Sequence, residues 1–246
     1  MLQLERVDAY RGAAHVLRGV SLTVQEGEAV CLVGRNGAGK TTTMESIMGL
    51  LPVRGGRIAL DGRDITRLPA HARARLGMGY APDYCGIFPD LTVAENLQIG
   101  RWFARASGEA KAVPPQTGPP VAPEGLDERI LAVFPEVRDL LRRRGLNLSG
   151  GQKKMVAIAR AMALSPSALL LDEPMEGLAP VVVSRFIEAV KKIKAMGISL
   201  LIAESNLATA ARVADQLYAI DRGEIIFQGD PHSALQNEDL MKTIRG

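Results

Sequence analysis

The stretch that decides the fold is GRNGAGKT, residues Gly34–Thr41. It matches the pattern G-x-x-x-x-G-K-[ST], in which glycines allow backbone N–H groups to curl around phosphate oxygens. The apolar run Ala29–Val33 precedes this stretch and a helical pattern follows it, which is the strand–loop–helix context that the motif requires. We therefore predict a loop that binds the phosphates of a nucleoside triphosphate.

The residue types in the loop have chemical reasons. Lys40 would place a positive charge on the β- and γ-phosphates, and the Thr41 hydroxyl would ligate Mg²⁺. The start of the following helix adds a dipole that favours anions. The nucleotide ligands predicted in this stretch are Gly34, Arg35, Asn36, Gly37, Ala38, Gly39, Lys40, Thr41 and Thr42.

Short apolar segments recur along the chain, and several are continuous rather than alternating in polarity. They are Ala29–Val33, Ile58–Leu60, Ala168–Leu171, Ile198–Ala203 and Leu217–Ile220. Continuous apolar runs are typical of strands covered on both faces of an α/β sheet. Helical patterns lie between them, and Thr92 with Glu95 forms a capping-box pattern that predicts a helix start.

Two carboxylates follow the apolar run Ala168–Leu171. A strand ending here would deliver Asp172 to Mg²⁺, which it would hold through water. Glu173 could orient or deprotonate the attacking water as a general base. A solvated turn is the alternative, and the phosphate loop elsewhere in the chain makes it the weaker interpretation.

A second anion site is predicted in LNLSGGQKKM. Ser149 is a natural N-cap, and Gly150 and Gly151 would expose backbone N–H groups at the start of a helix. The predicted ligands here are Ser149, Gly150, Gly151 and Gln152.

With this signature the chain resembles the ATP-binding-cassette (ABC) ATPases over essentially its whole length. The resemblance implies a P-loop NTPase (RecA-like) α/β core with an antiparallel β subdomain and an inserted helical signature subdomain. It also implies ATP and Mg²⁺ as cofactors, and Tyr10 as the aromatic residue that stacks on adenine. In that family two cassettes pack head to tail, so each ATP lies between the phosphate loop of one and the signature of the other.

The resemblance also suggests a division of the chain. We expect one ABC ATPase domain over residues 1–246, with residues 1–90 and 160–230 as the nucleotide-binding core. Residues 91–159 would form the helical subdomain, including a proline-rich insertion at 111–125 that is interpreted as an exposed linker, with a contact surface for a partner as the alternative. Residues 231–246 would be a short polar tail.

One branch of the family is more similar than the rest: the ATPase subunits of branched-chain amino-acid, amide or urea importers. The stretches GIFPDLTVAENLQIG (86–100) and AESNLATAARVADQLYAIDRGEII (203–226) carry this resemblance. It implies transmembrane permease subunits, a second and different cassette as the leading partner with a homodimer left open, and indirectly a solute-binding protein.

Three positions depart from the usual family pattern. Asp83 stands where most cassettes have a glutamine that senses Mg²⁺ and water, so it is a candidate catalytic and metal-contacting residue. Met175 replaces a serine of the loop that crosses the dimer interface. Ser205 replaces a histidine at the γ-phosphate. The hypothesis that follows is slow hydrolysis at this phosphate loop, with the partner cassette setting the rate.

Composition excludes several other classes of protein. The chain has 246 residues, with 30 basic against 27 acidic, a bias too mild to predict a nucleic-acid partner. No apolar run approaches the roughly 18 residues that span a bilayer. We therefore expect a cytoplasmic protein held at the inner face of the membrane by its permease. A soluble ABC protein of DNA repair or translation, and a regulatory nucleotide sensor, are the alternatives.

Overall fold

The computed structural model describes residues 1–106 and 127–245. The proline-rich segment 111–125 therefore lies outside the described residues. A six-stranded sheet forms the centre, in the order β10-β9-β3-β8-β7-β6. Its strands are β3 (Ala29–Val33), β6 (Met78–Ala81), β7 (Ala168–Asp172), β8 (Ser199–Glu204), β9 (Gln216–Asp221) and β10 (Glu224–Gly229).

The central strands of this sheet are parallel. β3 pairs in parallel with both β8 and β9, and β7 pairs in parallel with β8 and β6, whereas β10 is an antiparallel edge strand. Every residue of β3, β7 and β8 is buried. The predicted α/β sheet is confirmed, and each of the five predicted apolar strands falls within a strand of the structure or shares all but one residue with it.

A second, antiparallel sheet has the order β2-β1-β4-β5. Its strands are β1 (Leu2–Arg11), β2 (Ala14–Val24), β4 (Val53–Leu60) and β5 (Arg63–Asp64). β1 is the central strand between β2 and β4, and its pairing shifts register near Glu5–Asp8 and again around Ala9. This sheet corresponds to the expected antiparallel β subdomain.

Helices flank both sheets and connect the strands. They are α1 (Lys40–Met48), α2 (Ala70–Arg75), α3 (Val93–Ala106), α4 (Glu128–Val133), α5 (Val137–Leu140), α6 (Gly150–Met162), α7 (Pro180–Ala195), α8 (Leu207–Ala210), α9 (Pro231–Gln236) and α10 (Glu238–Arg245), with a 3₁₀ turn at Gly145–Asn147. The predicted start of α3 is confirmed, because Thr92 Oγ1 accepts from the Glu95 N–H at 3.2 Å and the Thr92 N–H donates to Glu95 Oε2 at 2.7 Å.

Two apolar clusters cover the two faces of the central sheet. Leu169 and Leu171 of β7 belong to the cluster that contains α6 and α7, whereas Leu170 belongs to the cluster with α1 and the antiparallel sheet. Successive side chains of a strand point to opposite faces, so a strand between two layers is apolar at every position. This is why the central strands have continuous apolar runs.

The expected polar tail is instead two short helices. Ala234 of α9 and Leu240 and Ile244 of α10 are buried in the larger apolar cluster. Apolar residues spaced four apart, as Leu240 and Ile244 are, lie on one face of a helix and can pack against the core. Within the described residues, no helix combines the length and apolarity needed to cross a membrane.

Candidate nucleotide-binding site

The loop between β3 and α1 has a backbone that only glycine permits at several positions. Gly37 has φ +83° and Gly39 has φ +119°, in the region that side chains with a Cβ rarely adopt. A Cβ on Gly34 would lie 2.3 Å from the Ile220 carbonyl oxygen of β9. The glycines of the motif therefore let the loop curl over the end of the sheet, as a phosphate-binding loop requires.

Lys40 lies under this loop and is 5% exposed. Its Nζ donates to the carbonyl oxygens of Gly34 at 2.7 Å and Arg35 at 3.1 Å, so the ammonium group braces the loop. It also lies 3.0 Å from Glu173 Oε1, in an ion pair whose two side chains are almost fully buried. The charge expected to face phosphate is neutralised by a carboxylate in this structure.

The loop opens onto a cleft of about 270 Å³. Its lining residues are Asn36, Gly37, Gly39, Lys40, Thr41, Thr42, Asp83, Glu173 and Glu176. The structure thus brings together eight residues of the predicted site. Glu176 was not predicted, and it reaches the cleft because it follows Glu173 in the same turn.

The carboxyl ends of the parallel strands place acidic residues beside this loop. Asp172 ends β7 opposite Ala203 of β8, and Glu204, the last residue of β8, lies opposite Val33 of β3. Parallel strands end at one edge of a sheet, so residues distant in sequence converge there.

Asp172 fits the role of a metal-contacting carboxylate. It is 2% exposed, and its Oδ1 has no hydrogen-bond partner among the described residues. Burial raises the pKa of Asp172 to about 6, and the charges of Asp83 and Glu173 act in the same direction, against hydrogen bonding by Thr41 and Tyr80. A buried oxygen without a partner beside a threonine hydroxyl is a donor set that suits Mg²⁺ and its water ligands.

Glu173 adopts a backbone conformation uncommon for a residue with a side chain, with φ +48°. Its N–H donates to the Ala203 carbonyl at 3.0 Å. Its carboxylate is held by Ser205, whose Oγ lies 2.6 Å from Oε1 and whose N–H donates to Oε2 at 3.1 Å. The serine at the position of the expected histidine therefore contacts the predicted general base directly.

Ser205 also connects the base to the phosphate loop. Its Oγ accepts from Lys40 Nζ at 3.0 Å and lies 2.9 Å from Asn36 Oδ1. A hydroxyl has one proton to donate, and the shorter distance assigns it to Glu173. Ser205 is thus the centre of a network that joins the loop to the carboxylate.

Besides Glu176, two further residues of the site were not predicted from the sequence. Glu204 is 2% exposed, and its Oε1 accepts from the Met175 N–H at 3.1 Å. Burial raises the pKa of Glu204 to about 8, and the charge of Glu173 adds to this effect. A glutamate ending an otherwise apolar strand was the available signal. The second is Lys154 of α6, whose ammonium group donates to the Glu173 carbonyl oxygen; no local pattern indicates this contact.

The signature residues form the start of α6, away from the cleft lining. Ser149 Oγ accepts from the Gln152 N–H at 3.3 Å, and Gln152 Oε1 accepts from the Ser149 N–H at 3.0 Å, which is a complete capping box. Ser149 and Gly150 are exposed. Within one chain the structure does not bring the signature to the phosphate loop.

Tyr10, the predicted adenine-stacking residue, is not among the residues that line the cleft. Its ring stacks on His15, with centroids 4.3 Å apart, and the Arg54 guanidinium lies 5.0 Å from its centre. The neighbouring Arg11 instead contacts α1, donating from Nε to Thr42 Oγ1 at 3.3 Å. Arg11 rather than Tyr10 therefore contacts the helix that follows the phosphate loop.

The remaining predicted residues lie at the rim or beneath the loop. Asp83 is exposed, and its Oδ1 accepts from the Tyr84 N–H at 2.6 Å. Arg35 is exposed and contributes its carbonyl to Lys40, while Ala38 is buried under the loop and donates to the Arg35 carbonyl at 3.0 Å.

Comparison with known proteins agrees with this geometry. Residues 17–176 match the family model described as "ABC transporter". The chain is 35% identical to the lipopolysaccharide export system ATP-binding protein LptB of Escherichia coli, covering 97% of this chain and 93% of that protein. It is 30% identical to the high-affinity branched-chain amino acid transport ATP-binding protein BraG of Pseudomonas aeruginosa, covering both chains completely.

A solved structure is similar over the same length. The ATP-binding cassette MJ1267, in its ADP conformation, superposes with a TM-score of 0.82 and 28% identity, covering all of this chain and 98% of that one. The expected fold class, with its P-loop NTPase core, is confirmed by this likeness and by the two sheets.

Proposed function

The chain belongs to the ABC transporter family and is an ATP-binding, ATP-hydrolysing subunit of such a transporter; from this premise we propose that it energises the uptake of branched-chain amino acids or a related small polar solute. The observation that carries the catalytic part of the proposal is the buried network of Lys40, Glu173 and Ser205 beneath the phosphate loop. The transported solute rests on the end-to-end match with BraG.

The phosphates of ATP would take the place of the carboxylate now facing Lys40. The loop N–H groups and the start of α1 bind phosphate oxygens, and Lys40 turns from Glu173 toward the β- and γ-phosphates. Freed from the ammonium group, the Glu173 carboxylate keeps both of its bonds to Ser205. Binding of nucleotide would in this way release the base for catalysis and hold it in place.

Mg²⁺, when bound, would neutralise charge on the phosphates. The residues that would hold it are Thr41, through its hydroxyl, and Asp172, whose buried Oδ1 has no hydrogen-bond partner in the described part of the chain. Asp83 lines the same cleft and is a candidate for a water-mediated contact. Glu173 accepts a proton from the attacking water, and Ser205 fixes the orientation of that carboxylate.

A second cassette would complete the site. Ser149 and Gly150 at the start of α6 are exposed, and none of the signature residues lines the cleft of its own chain. A head-to-tail dimer would place the signature of one subunit against the γ-phosphate in the other. We infer a heterodimer with a different cassette, docked on permease subunits at the inner face of the membrane.

The likeness to LptB makes export the competing direction of transport, because that relative belongs to an export system and is 35% identical. Reconstitution with a permease in vesicles distinguishes the two. If the chain energises uptake, ATP turnover should rise when a solute-loaded binding protein is added on the side of the membrane opposite the cassette. Stimulation by a lipid substrate, with no response to a binding protein, would contradict an importer.

The Glu173→Gln variant tests the catalytic proposal. We expect turnover to fall by about 10²–10⁴-fold, the typical contribution of a general base. Affinity for ATP should rise, because the neutral amide no longer competes for Lys40. The measurements are single-turnover hydrolysis and equilibrium binding of labelled ATP, with exposed Glu188→Gln as the control.

Two results would contradict the proposal for Glu173. Turnover equal to that of the wild type would remove the general-base role, as in a nucleotide sensor. Weaker ATP binding in Glu173→Gln would contradict the competition between carboxylate and phosphate for Lys40.

A further inference from the structure

Tyr10 and Arg11 are neighbours in β1, yet they face opposite sides of the antiparallel sheet. Tyr10 is flanked by the strands on either side of β1, by His15 of β2 and Arg54 of β4. The two rings are nearly parallel, with 3° between their planes. One face of the tyrosine is therefore covered by its own sheet, on the side that does not contact α1.

Arg11 stands at the edge of the nucleotide cleft. Its Nε donates to Thr42 Oγ1 at 3.3 Å, and a terminal nitrogen pairs with the Glu45 carboxylate. Thr42 lines the cleft, and both partners belong to α1. The Arg11 side chain remains 48% exposed. Two contacts therefore fix the guanidinium plane while leaving much of its surface open.

The geometry of the loop indicates which end of a nucleotide passes Arg11. The lysine of a phosphate loop reaches the β- and γ-phosphates, and Lys40 lies 3.0 Å from both Glu173 and Ser205. These residues mark the γ-phosphate end. Thr42 lies beyond the lysine on α1, where the α-phosphate and then the ribose and base follow. Arg11 is thus on the base side of the cleft.

We infer that Arg11 is the nucleobase platform of this chain, with its guanidinium plane stacked on the base. The inference rests on the proposed function, because it requires a nucleotide in the cleft. A planar, delocalised guanidinium stacks well on aromatic faces, which the compact ammonium of lysine does not. Every base has such a face, so stacking alone discriminates weakly between bases.

Base selectivity follows from this chemistry. A guanidinium stacked on a base lies parallel to it, so its N–H groups do not reach the acceptors on the edge of that base. We expect ADP and GDP to bind with affinities within about fivefold of each other. The ligand class of this subsite is therefore a nucleotide with any stacking base rather than an adenine nucleotide alone.

The adjacent pair Arg11→Ala and Tyr10→Ala provides a matched test. Titration with ribose-labelled ADP and GDP should show that Arg11→Ala weakens both by about 3- to 30-fold, the range of a cation–π contact. Tyr10→Ala should stay within about twofold of the wild type, because its ring contacts the other face of the sheet. Arg11→Lys, which keeps the charge but not the plane, should resemble Arg11→Ala. Wild-type affinity in Arg11→Lys would overturn stacking in favour of charge alone.

Tripolyphosphate, which has no base, separates base recognition from phosphate binding. Its competition against labelled ADP should give the same affinity in the wild type and Arg11→Ala. Loss of nucleotide affinity in Tyr10→Ala but not in Arg11→Ala would overturn the inference while leaving the proposed function intact. Thermal unfolding should first show that each variant is folded. If no nucleotide then binds to any of the proteins, the proposed function is overturned, and this inference with it.

Discussion

The Ser205 hydroxyl lies 2.6 Å from Glu173 Oε1, and Ser205→Ala removes it while keeping the backbone N–H bond at 3.1 Å. A hydrogen bond to a charged group contributes about 1.5–3 kcal/mol, so we expect turnover to fall roughly tenfold or more. Affinity for ATP should change little, because Lys40 turns from the carboxylate toward the phosphates in either case. Single-turnover hydrolysis at saturating ATP measures the effect.

Ser167→Ala is the control for that variant, since its hydroxyl bonds only the Gly77 carbonyl, at 3.4 Å, among the described residues. Unchanged turnover in Ser205→Ala would mean that the backbone N–H alone orients Glu173. The serine would then be a neutral replacement rather than a positioning residue.

The buried carboxyl group of Glu204 leads to a prediction about how the free energy of unfolding depends on pH. Burial raises its pKa to about 8, above the value of about 4.3 usual for an exposed glutamate. A raised carboxyl pKa stabilises the fold below the unfolded-state value, and this contribution is lost as the pH rises through the folded-state value. Glu204→Gln cannot ionise but keeps an oxygen to accept from the Met175 N–H.

The free energy of unfolding of Glu204→Gln should therefore approach that of the wild type near pH 4. It should exceed the wild-type value increasingly up to pH 8.5, by at most about 5 kcal/mol. Urea unfolding of both proteins across this pH range measures the difference between their free energies of unfolding. The contributions of the other titrating groups are common to both proteins and cancel in this difference. A difference that does not vary with pH would show that Glu204 is ionised in the folded chain.

At the scale of elements, the bond from Lys154 to the Glu173 carbonyl joins helix α6 to the end of strand β7. It stabilises a Glu173 backbone with φ +48°, so its loss should loosen the base without touching the phosphate loop. We expect Lys154→Met to lower maximal turnover by about tenfold, the scale of one charged hydrogen bond. The Michaelis constant for ATP should be unchanged.

Lys153→Met is the matched control, because the Lys153 side chain donates no hydrogen bond to the described residues. Steady-state kinetics of both variants separate the two parameters. If Lys154→Met and Lys153→Met behave alike, the contact contributes nothing to the orientation of Glu173.

The elements differ in how far the sequence predicts them. β3, β7 and β8 are predictable because strands covered on both faces carry continuous apolar runs. The orientation of β1 near Tyr10 cannot be predicted from the sequence in the same way. Register shifts between Leu4 and Tyr10 change which face of the sheet each residue occupies. The same limit applies to Lys154 and Glu204, whose partners are chosen by tertiary packing rather than by local pattern.

At the scale of the whole molecule, the cleft and the exposed signature of one chain are separated. We therefore expect turnover per chain to increase with protein concentration, as chains associate head to tail around ATP. Addition of the proposed partner cassette at the same total concentration should increase it further. Measurement of initial rates over a dilution series tests this.

Gly150→Asp tests the shared site. Outside its own turn of helix, no atom of the described residues lies within 4 Å of a Cβ at this position, so the fold should tolerate the change. Its carboxylate would repel phosphate across the dimer, so the concentration dependence should disappear while nucleotide binding by single chains remains. Turnover per chain that is constant on dilution of the wild type would contradict a shared site.

The pKa of Glu204, about 8, has a consequence for the charge of the folded molecule. At pH 7 this side chain is mostly protonated, so the native chain carries nearly one positive charge more than the formal +3 of its sequence. The difference arises because a buried carboxyl group is neutral, so one negative charge of the formal count is missing from the folded chain. Electrophoretic mobility of the native protein would reveal it as an apparent excess of one proton, which disappears when the chain unfolds.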